Sequence, residues 1–209
     1  LSFLKGARKN LDVFSHSTDT NINLDISLNT DCIHNLFSKL FEISGIEIRL
    51  NLFNKNNIGF VDADNKILQF IRELADYEKM LPEVVATEEL LREWIFEKQK
   101  AEVIFALEDG KEVGFALFFH NFSTFLGRAG IYLEDLYVKP EYRGRGIGKT
   151  LLKSLAKIAV DEGCGRLEWS CLDWNEPSIA FYRAQGAVSM DEWTTWRLTG
   201  ETLHAFAQD

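Results

Sequence analysis

From residue 67 onward the apolar positions fall into two periods that take turns along the chain. Ile67, Phe70, Ile71 and Leu74 recur at i, i+3, i+4 and i+7, the stripe of a helix with one face in a core. Thr87 followed by Glu88 and Glu89 predicts a second helix, capped by a hydroxyl and carrying carboxylates at the positive end of its dipole. The apolar runs 101–107 and 113–119 flank Glu108-Asp109-Gly110-Lys111 and predict an antiparallel hairpin. Residues 131–138 read as another strand, closed off by Pro140. The clearest helical pattern runs through Ile147, Leu151, Leu152, Leu155, Ile158 and Ala159 to a stop at Gly163. Residues 166–172 read as a strand, 176–185 as a helix ended by Gly186, and 194–199 as a final strand before a short terminal helix. With a further short strand over 58–62, the order β-α-α-β-β-β-α-β-α-β predicts an α/β fold, a mixed sheet layered with helices.

The stretch before this is of a different kind. Residues 1–56 are rich in Asn, Asp, Ser and Thr, and only 32–43 offers a helical stripe, through Ile33, Leu36, Phe37, Leu40 and Phe41. Lys5, Arg8 and Lys9 imitate a targeting segment, but Asp12 and Asp19 soon follow, against that reading. The expected organisation is a partly ordered extension over 1–56 and a catalytic domain over 57–209.

Composition narrows the chemistry. The 209 residues suit one domain with a real core, and 46% hydrophobic with 26% charged residues describes a soluble globular chain. No run of about eighteen apolar residues offers a membrane span. Cys32, Cys164 and Cys171 have neither an even count nor CxxC spacing, which argues against a disulfide framework or zinc cluster and for a reducing cytoplasm. His16, His34, His120 and His204 form no pair at metal-ligand spacing, so no metal is expected. A net charge of −9 repels nucleic acid and suits a cationic substrate.

Inside this acidic chain, Arg143-Gly144-Arg145-Gly146-Ile147-Gly148-Lys149 forms a basic, glycine-rich junction between a strand and the best-patterned helix. Unpaired N–H groups and the helix dipole make such a junction an anion site, and glycine lets the backbone approach a pyrophosphate. A tight turn with solvated basic residues is the plainer alternative. Gly148-Lys149-Thr150 imitates the end of a P-loop, but GxxxxGK[ST] requires glycine where Arg143 stands. GxGxxG fails too, because its third glycine would be Lys149 or Leu151.

What fits is R-x-x-G-x-G at Arg143, Gly146 and Gly148, which resembles the pyrophosphate-binding motif of the GNAT acetyltransferases. Downstream, Trp174-Asn175-Glu176-Pro177-Ser178-Ile179-Ala180-Phe181-Tyr182 is similar to the diamine (spermidine/spermine) and thialysine branch of that superfamily. So are Leu133-Glu134-Asp135-Leu136-Tyr137-Val138 and Glu73 to Met80. The resemblance covers about residues 58 to 207 and implies a GNAT-like, mostly antiparallel sheet flanked by helices.

It also implies a reaction: transfer of an acetyl group from acetyl-CoA to a primary amine of a small molecule, foremost a diamine or polyamine. Thialysine, another amino acid or a protein amine are alternatives, as is a non-catalytic acetyl-CoA-binding protein. An alkylammonium has a pKa near 10, so freeing its base at pH 7 costs about 4 kcal/mol and a proton acceptor helps. Glu134 stands in an apolar context where desolvation raises a carboxyl pKa, and the resemblance places it at the acceptor amine as that acceptor through water. A solvent-facing or arginine-paired glutamate is the competing assignment. By the same resemblance Asp135 helps hold the cationic acceptor, and N–H groups of Leu136, Tyr137 and Val138 reach the acetyl carbonyl and pantetheine. The resemblance also implies that Tyr182 protonates the leaving thiolate, with a buried structural tyrosine as the alternative, and that Gly144 through Lys149 and Asn175, Glu176, Pro177 and Ser178 contact the cofactor. Local capping explains part of the latter motif, since Asn175 suits an N-cap and Pro177 the first helical turn. Tyr77, Glu78, Glu168, Trp169 and Ser170 fall at acceptor-side positions. The 168–170 strand departs from the animal diamine enzymes, and relatives form homodimers with active sites near the subunit interface.

Overall fold

The alternating patterns resolve into one sheet with helices on both faces, in a computed structural model that describes residues 46–50 and 63–208. Its strands lie side by side in chain order: β1 (Ile46–Leu50), β2 (Glu102–Glu108), β3 (Lys111–Ser123), β4 (Arg128–Val138) and β5 (Leu167–Trp169). The first four pair antiparallel, and β5 joins β4 in parallel. A parallel neighbour needs a crossover, which the long helix between them supplies.

The helices are α1 (Ala63–Tyr77), α2 (Glu88–Leu91, running on as π-type turns over Arg92–Glu97), α3 (Ile147–Asp161), α4 (Glu176–Ala184) and α5 (Gly200–Phe206). Thr87 caps α2 as its position predicts, its hydroxyl accepting from the Leu90 N–H at 3.3 Å. One face of the sheet packs on α1 and α2 through Ile67, Phe70, Ile95, Phe105, Phe115 and Tyr137, with Phe70 stacked on Phe115 at 5.1 Å. The other face packs on α3, where Ile147, Leu151, Leu155 and Ala159 meet Ile104, Phe118, Ile131 and Leu133. Because both faces are covered, all five residues from Val103 to Leu107 are buried and β2 shows no alternation.

Three expectations change. Residues 46–50 fall within the stretch assigned to the extension, yet they pair with β2 as an edge strand and bury Ile46 and Ile48. The strand expected over 166–172 is confined to Leu167–Trp169, because β4 bulges after Leu133 and parts from β5. The strand expected over 194–199 is extended chain that joins no ladder among the described residues, and its Trp196 is 90% exposed. A strand pattern needs a neighbour to pair with, and none of the described strands pairs with this segment. The helix expected over 32–43 and the strand over 58–62 lie outside the described residues. No helix among the described residues is long and apolar enough to cross a membrane.

Candidate active site

The junction between β4 and α3 has the geometry its glycines predict. Gly144 and Gly146 adopt φ of 74° and 84°, the left-handed region, and Gly146 stands at the N-cap of α3 without any capping side chain. A Cβ on either would meet nothing within 4 Å, so backbone conformation, and not crowding, calls for glycine there. At Gly148 a Cβ would make only ordinary contacts, 3.8 Å from Val138 and 3.9 Å from Phe181. The protein therefore leaves room above the first turn of α3. Among the described residues no carbonyl or side chain accepts a hydrogen bond from the amides of Gly144 through Lys149. These free N–H groups, at the positive end of a 15-residue helix, fit a diphosphate.

The arginines of the motif are otherwise engaged. The Arg143 guanidinium lies 4.9 Å from the Tyr77 ring centre and 5.3 Å from that of Tyr137, and its Nε donates to the Val138 carbonyl at 2.8 Å. It thus braces the end of β4 against the end of α1. Arg145 makes a bidentate pair with Glu108. Lys149 is exposed.

A bulge in β4 builds the other half of the site. Leu117 is opposite Asp135 and Phe118 opposite Leu133, so Glu134 is the extra residue. Strict alternation would put Leu133 and Leu136 on opposite faces, yet both pack on the α3 side. The inserted residue resets the phase and separates the two carboxylates by environment. Glu134 is exposed, whereas Asp135 is half-buried and pushed up to about 7 by burial, then by Glu134 and Glu78 nearby. The desolvated carboxyl that the sequence assigns to Glu134 is therefore that of its neighbour. Glu78, just past the end of α1, is itself raised by burial.

Tyr182, on α4, completes the group. Its ring packs against Trp169 at 4.9 Å and Phe181 at 5.2 Å, and burial, with Cys171 and Glu78 adding, holds the phenol proton well above its usual pKa. Cys171 is likewise held as a thiol by burial, Glu78 and Asp173. Asn175 caps α4 through a 3.4 Å bond from the Ser178 N–H, and the same side-chain oxygen accepts from the Tyr77 hydroxyl at 3.0 Å. That bond fixes the start of α4 to the end of α1. Glu176 and Pro177 are exposed in its first turn.

The fold thus gathers Tyr77, Glu78, Asp135, Trp169 and Tyr182 from four elements. Glu168 and Ser170 are turned elsewhere, Glu168 to Arg166 and Asn121 at 2.7 Å each and Ser170 to the Tyr132 hydroxyl at 2.7 Å. Cys171, Trp174 and Lys79 carry no site role in the sequence reading, although Trp174 opens the Trp174 to Tyr182 motif and Lys79 falls within the Glu73 to Met80 stretch. Lys79 lies 5.9 Å from the Trp174 ring centre, and Trp174 6.1 Å from the Tyr77 ring. Lys79 directly follows Tyr77 and Glu78, and the only signal for it was that adjacency.

Comparison with known proteins agrees with this geometry. The acetyltransferase (GNAT) family model matches residues 68–187, more than half of the chain. A thialysine N-epsilon-acetyltransferase from Bos taurus is 41% identical over 153 residues, spanning 68% of this chain and 89% of that protein. A human spermidine/spermine N(1)-acetyltransferase-like protein is 32% identical over 141 residues, 64% of this chain but 20% of that one. An integron cassette protein from the mobile metagenome of V. cholerae superposes with a TM-score of 0.63 at 29% identity, over 79% of this chain and 99% of the other. With an open anion turn at the start of α3 and acid–base groups gathered beside it, the chain belongs to the GNAT acetyltransferase family and is an acetyl-CoA-dependent enzyme that acetylates a small-molecule amine.

Proposed function

We infer that the acceptor is the terminal amine of a short alkyl or thioalkyl chain, as in thialysine. The observation that carries this is the group of three carboxyls, Glu78, Glu134 and Asp135, in which burial first, and then the charges of Glu134 and Glu78, push Asp135 up to about 7. A cation arriving among them relieves that repulsion, so the site favours an alkylammonium over a neutral amine.

Acetyl-CoA, when bound, supplies an acyl carbonyl activated as a thioester. The free amides of Gly144 through Lys149 hold its diphosphate, with Lys149 adding charge, and the early α4 residues Asn175 to Ser178 border its path. β4 N–H groups at Leu136 to Val138 are the donors offered to the acetyl oxygen, where β4 has parted from β5. Asp135, poised near neutral pH, takes the proton of the acceptor ammonium directly or through water, and Glu134 at the mouth draws the cation in. The nitrogen then bonds to the acetyl carbon as the carbon–sulfur bond breaks. Tyr182, which keeps its proton at neutral pH, gives it to the departing thiolate, and the second proton that the nitrogen sheds as the amide forms passes through water to restore the phenol. Cys171, held as a neutral thiol, makes a poor nucleophile, which supports direct transfer.

A diamine or polyamine is the second reading, favoured by the same acidic group. Lys79 separates the two, because an amino acid brings a carboxylate that the Lys79 ammonium beside Trp174 can meet and a diamine does not. Free-thiol release with thialysine, lysine, ornithine, putrescine and spermidine tests this. We expect thialysine to lead, and Lys79→Ala to lower kcat/KM for amino acids about tenfold, the worth of a modest charged hydrogen bond, while sparing the diamines. Binding of acetyl-CoA without turnover of any amine overturns the catalytic reading.

The working unit is a homodimer in this reading, in the cytoplasm. Trp193, Trp196 and Phe206 lie 71%, 90% and 71% exposed in a single chain, an apolar surface that a second copy would cover. Sedimentation of the full chain checks it, and a monomer at micromolar concentration would refute it.

A further inference from the structure

The end of α3 remote from the glycine turn, about 22 Å along the helix axis, carries side chains that acetyl transfer does not use. His120 stands on β3, Glu162 ends α3 as its C-cap, and Cys164 follows in the turn toward β5. Gly163 between them, at φ 73°, reverses the chain direction. One His120 nitrogen, one Glu162 oxygen and the Cys164 sulfur all lie within 4.8 Å of one another. His120 Nε2 is 2.6 Å from Glu162 Oε2, and on the other side of the ring Nδ1 is 3.7 Å from Glu102 Oε1 on β2.

We propose that His120, Glu162 and Cys164 bind a zinc-class divalent metal ion, with water as the fourth ligand and Glu102 orienting the imidazole from behind. An ion pair between His120 and Glu162 explains their short contact alone. It does not explain why a thiol converges on the same point. One nitrogen, one carboxylate oxygen and one sulfur make the mixed donor set that zinc accepts, whereas calcium and magnesium call for oxygen throughout. Tetrahedral zinc with bonds of 2.0–2.3 Å sets donors about 3.3–3.8 Å apart. The His120–Glu162 separation of 2.6 Å lies below that range and the 4.8 Å limit on the three atoms lies above it, a mismatch of the size that side-chain rotation can take up.

The surroundings support a cation. Binding a dication at Cys164 releases the thiol proton, because the thiolate is the ligand. Glu102 lies 3.7 Å from Nδ1, too far for a hydrogen bond as it stands; a small approach would let it accept from Nδ1–H and leave the Nε2 lone pair for the metal, the usual carboxylate support of a ligating histidine. Glu162 and His120 are exposed, so the ion enters from solvent and water reaches the open position. Bound there, it clips the end of α3 to β2 and β3.

The test uses the full chain, reduced, stripped of metal by chelation and titrated with Co2+ as a coloured substitute for Zn2+. We expect one Co2+ per chain, a thiolate charge-transfer band in the near ultraviolet that Zn2+ bleaches, and a rise in melting temperature with Zn2+. Cys164→Ser should abolish the band although Cys32 and Cys171 remain. His120→Ala and Glu162→Gln should weaken Zn2+ binding by about tenfold or more, and Glu102→Gln by about tenfold. Amine acetylation by the stripped enzyme should be unchanged. A band that survives Cys164→Ser, or equal Zn2+ affinity in the wild type and in folded His120→Ala and Glu162→Gln, overturns the proposal.

Discussion

The two halves of the site work by different means. The glycine turn is a backbone device: its donors are main-chain amides of consecutive residues, and its positive potential comes from the helix behind them. The proposed acceptor end is a side-chain device, assembled from Glu78 after α1, Asp135 beside the bulge of β4, Trp169 on β5 and Tyr182 on α4. A backbone device depends on few conformations and fails abruptly. A side-chain device can lose one member and keep its shape, so its damage should be chemical.

The sharpest way to break the turn is Gly146→Val. A β-branched residue at φ 84° forces the junction to rearrange, and misplacement by even 1 Å costs about 100-fold in rate. We expect at least that loss in kcat/KM for acetyl-CoA, with the isolated protein still folded by circular dichroism. If affinity for acetyl-CoA survives, the backbone account of this half is wrong.

Tyr182→Phe probes the other half. It keeps the ring against Trp169 and removes only the proton, so kcat should fall about 100-fold while acetyl-CoA binding is nearly unchanged. Equal loss of binding would mean that the phenol serves packing or positioning.

Asp135→Asn should have a smaller effect, but one that is informative through pH. The folded-state pKa of Asp135 lies above its unfolded value of 3.8, at about 7, so the folded protein holds this proton more tightly. Asp135 therefore favours folding below about pH 4, and that contribution is lost as pH rises to about 7. Asp135→Asn should melt higher than wild type at pH 8, with the gap closing by pH 4. In kinetics the wild type should gain activity through pH 7 as this carboxyl ionises, and the variant should lose that inflection. If Glu134→Gln removes the inflection and Asp135→Asn leaves it, the roles of the two carboxyls are exchanged.

The contrast also explains what could be read from residues alone. Gly144 and Gly146 announce their turn because positive φ is a local demand, answered within a few residues. Asn175 and Pro177 announce the start of α4 for the same reason. Nothing local reveals that Arg143 lies beside Tyr77 and Tyr137, or that the Asn175 oxygen also serves Tyr77, because 98 residues separate the partners of that bond. The strand pattern over 194–199 misled for a related reason, since an extended apolar segment specifies no partner by itself.

The sequence by itself determined the order of elements from α1 to α4, the two helical faces that cover the sheet, the glycine turn at Gly144 to Lys149 and the residues from which the proposed acid–base chemistry is drawn, but not β1 or the unpaired segment over 194–199. Only the tertiary structure decided which carboxyl is desolvated, because one extra residue in β4 changes which face each side chain meets, and a pKa follows surroundings more than identity. It alone brought His120 beside Glu162 and Cys164, since metal-ligand geometry is set by distance in space and the spacing along the chain carries no trace of it.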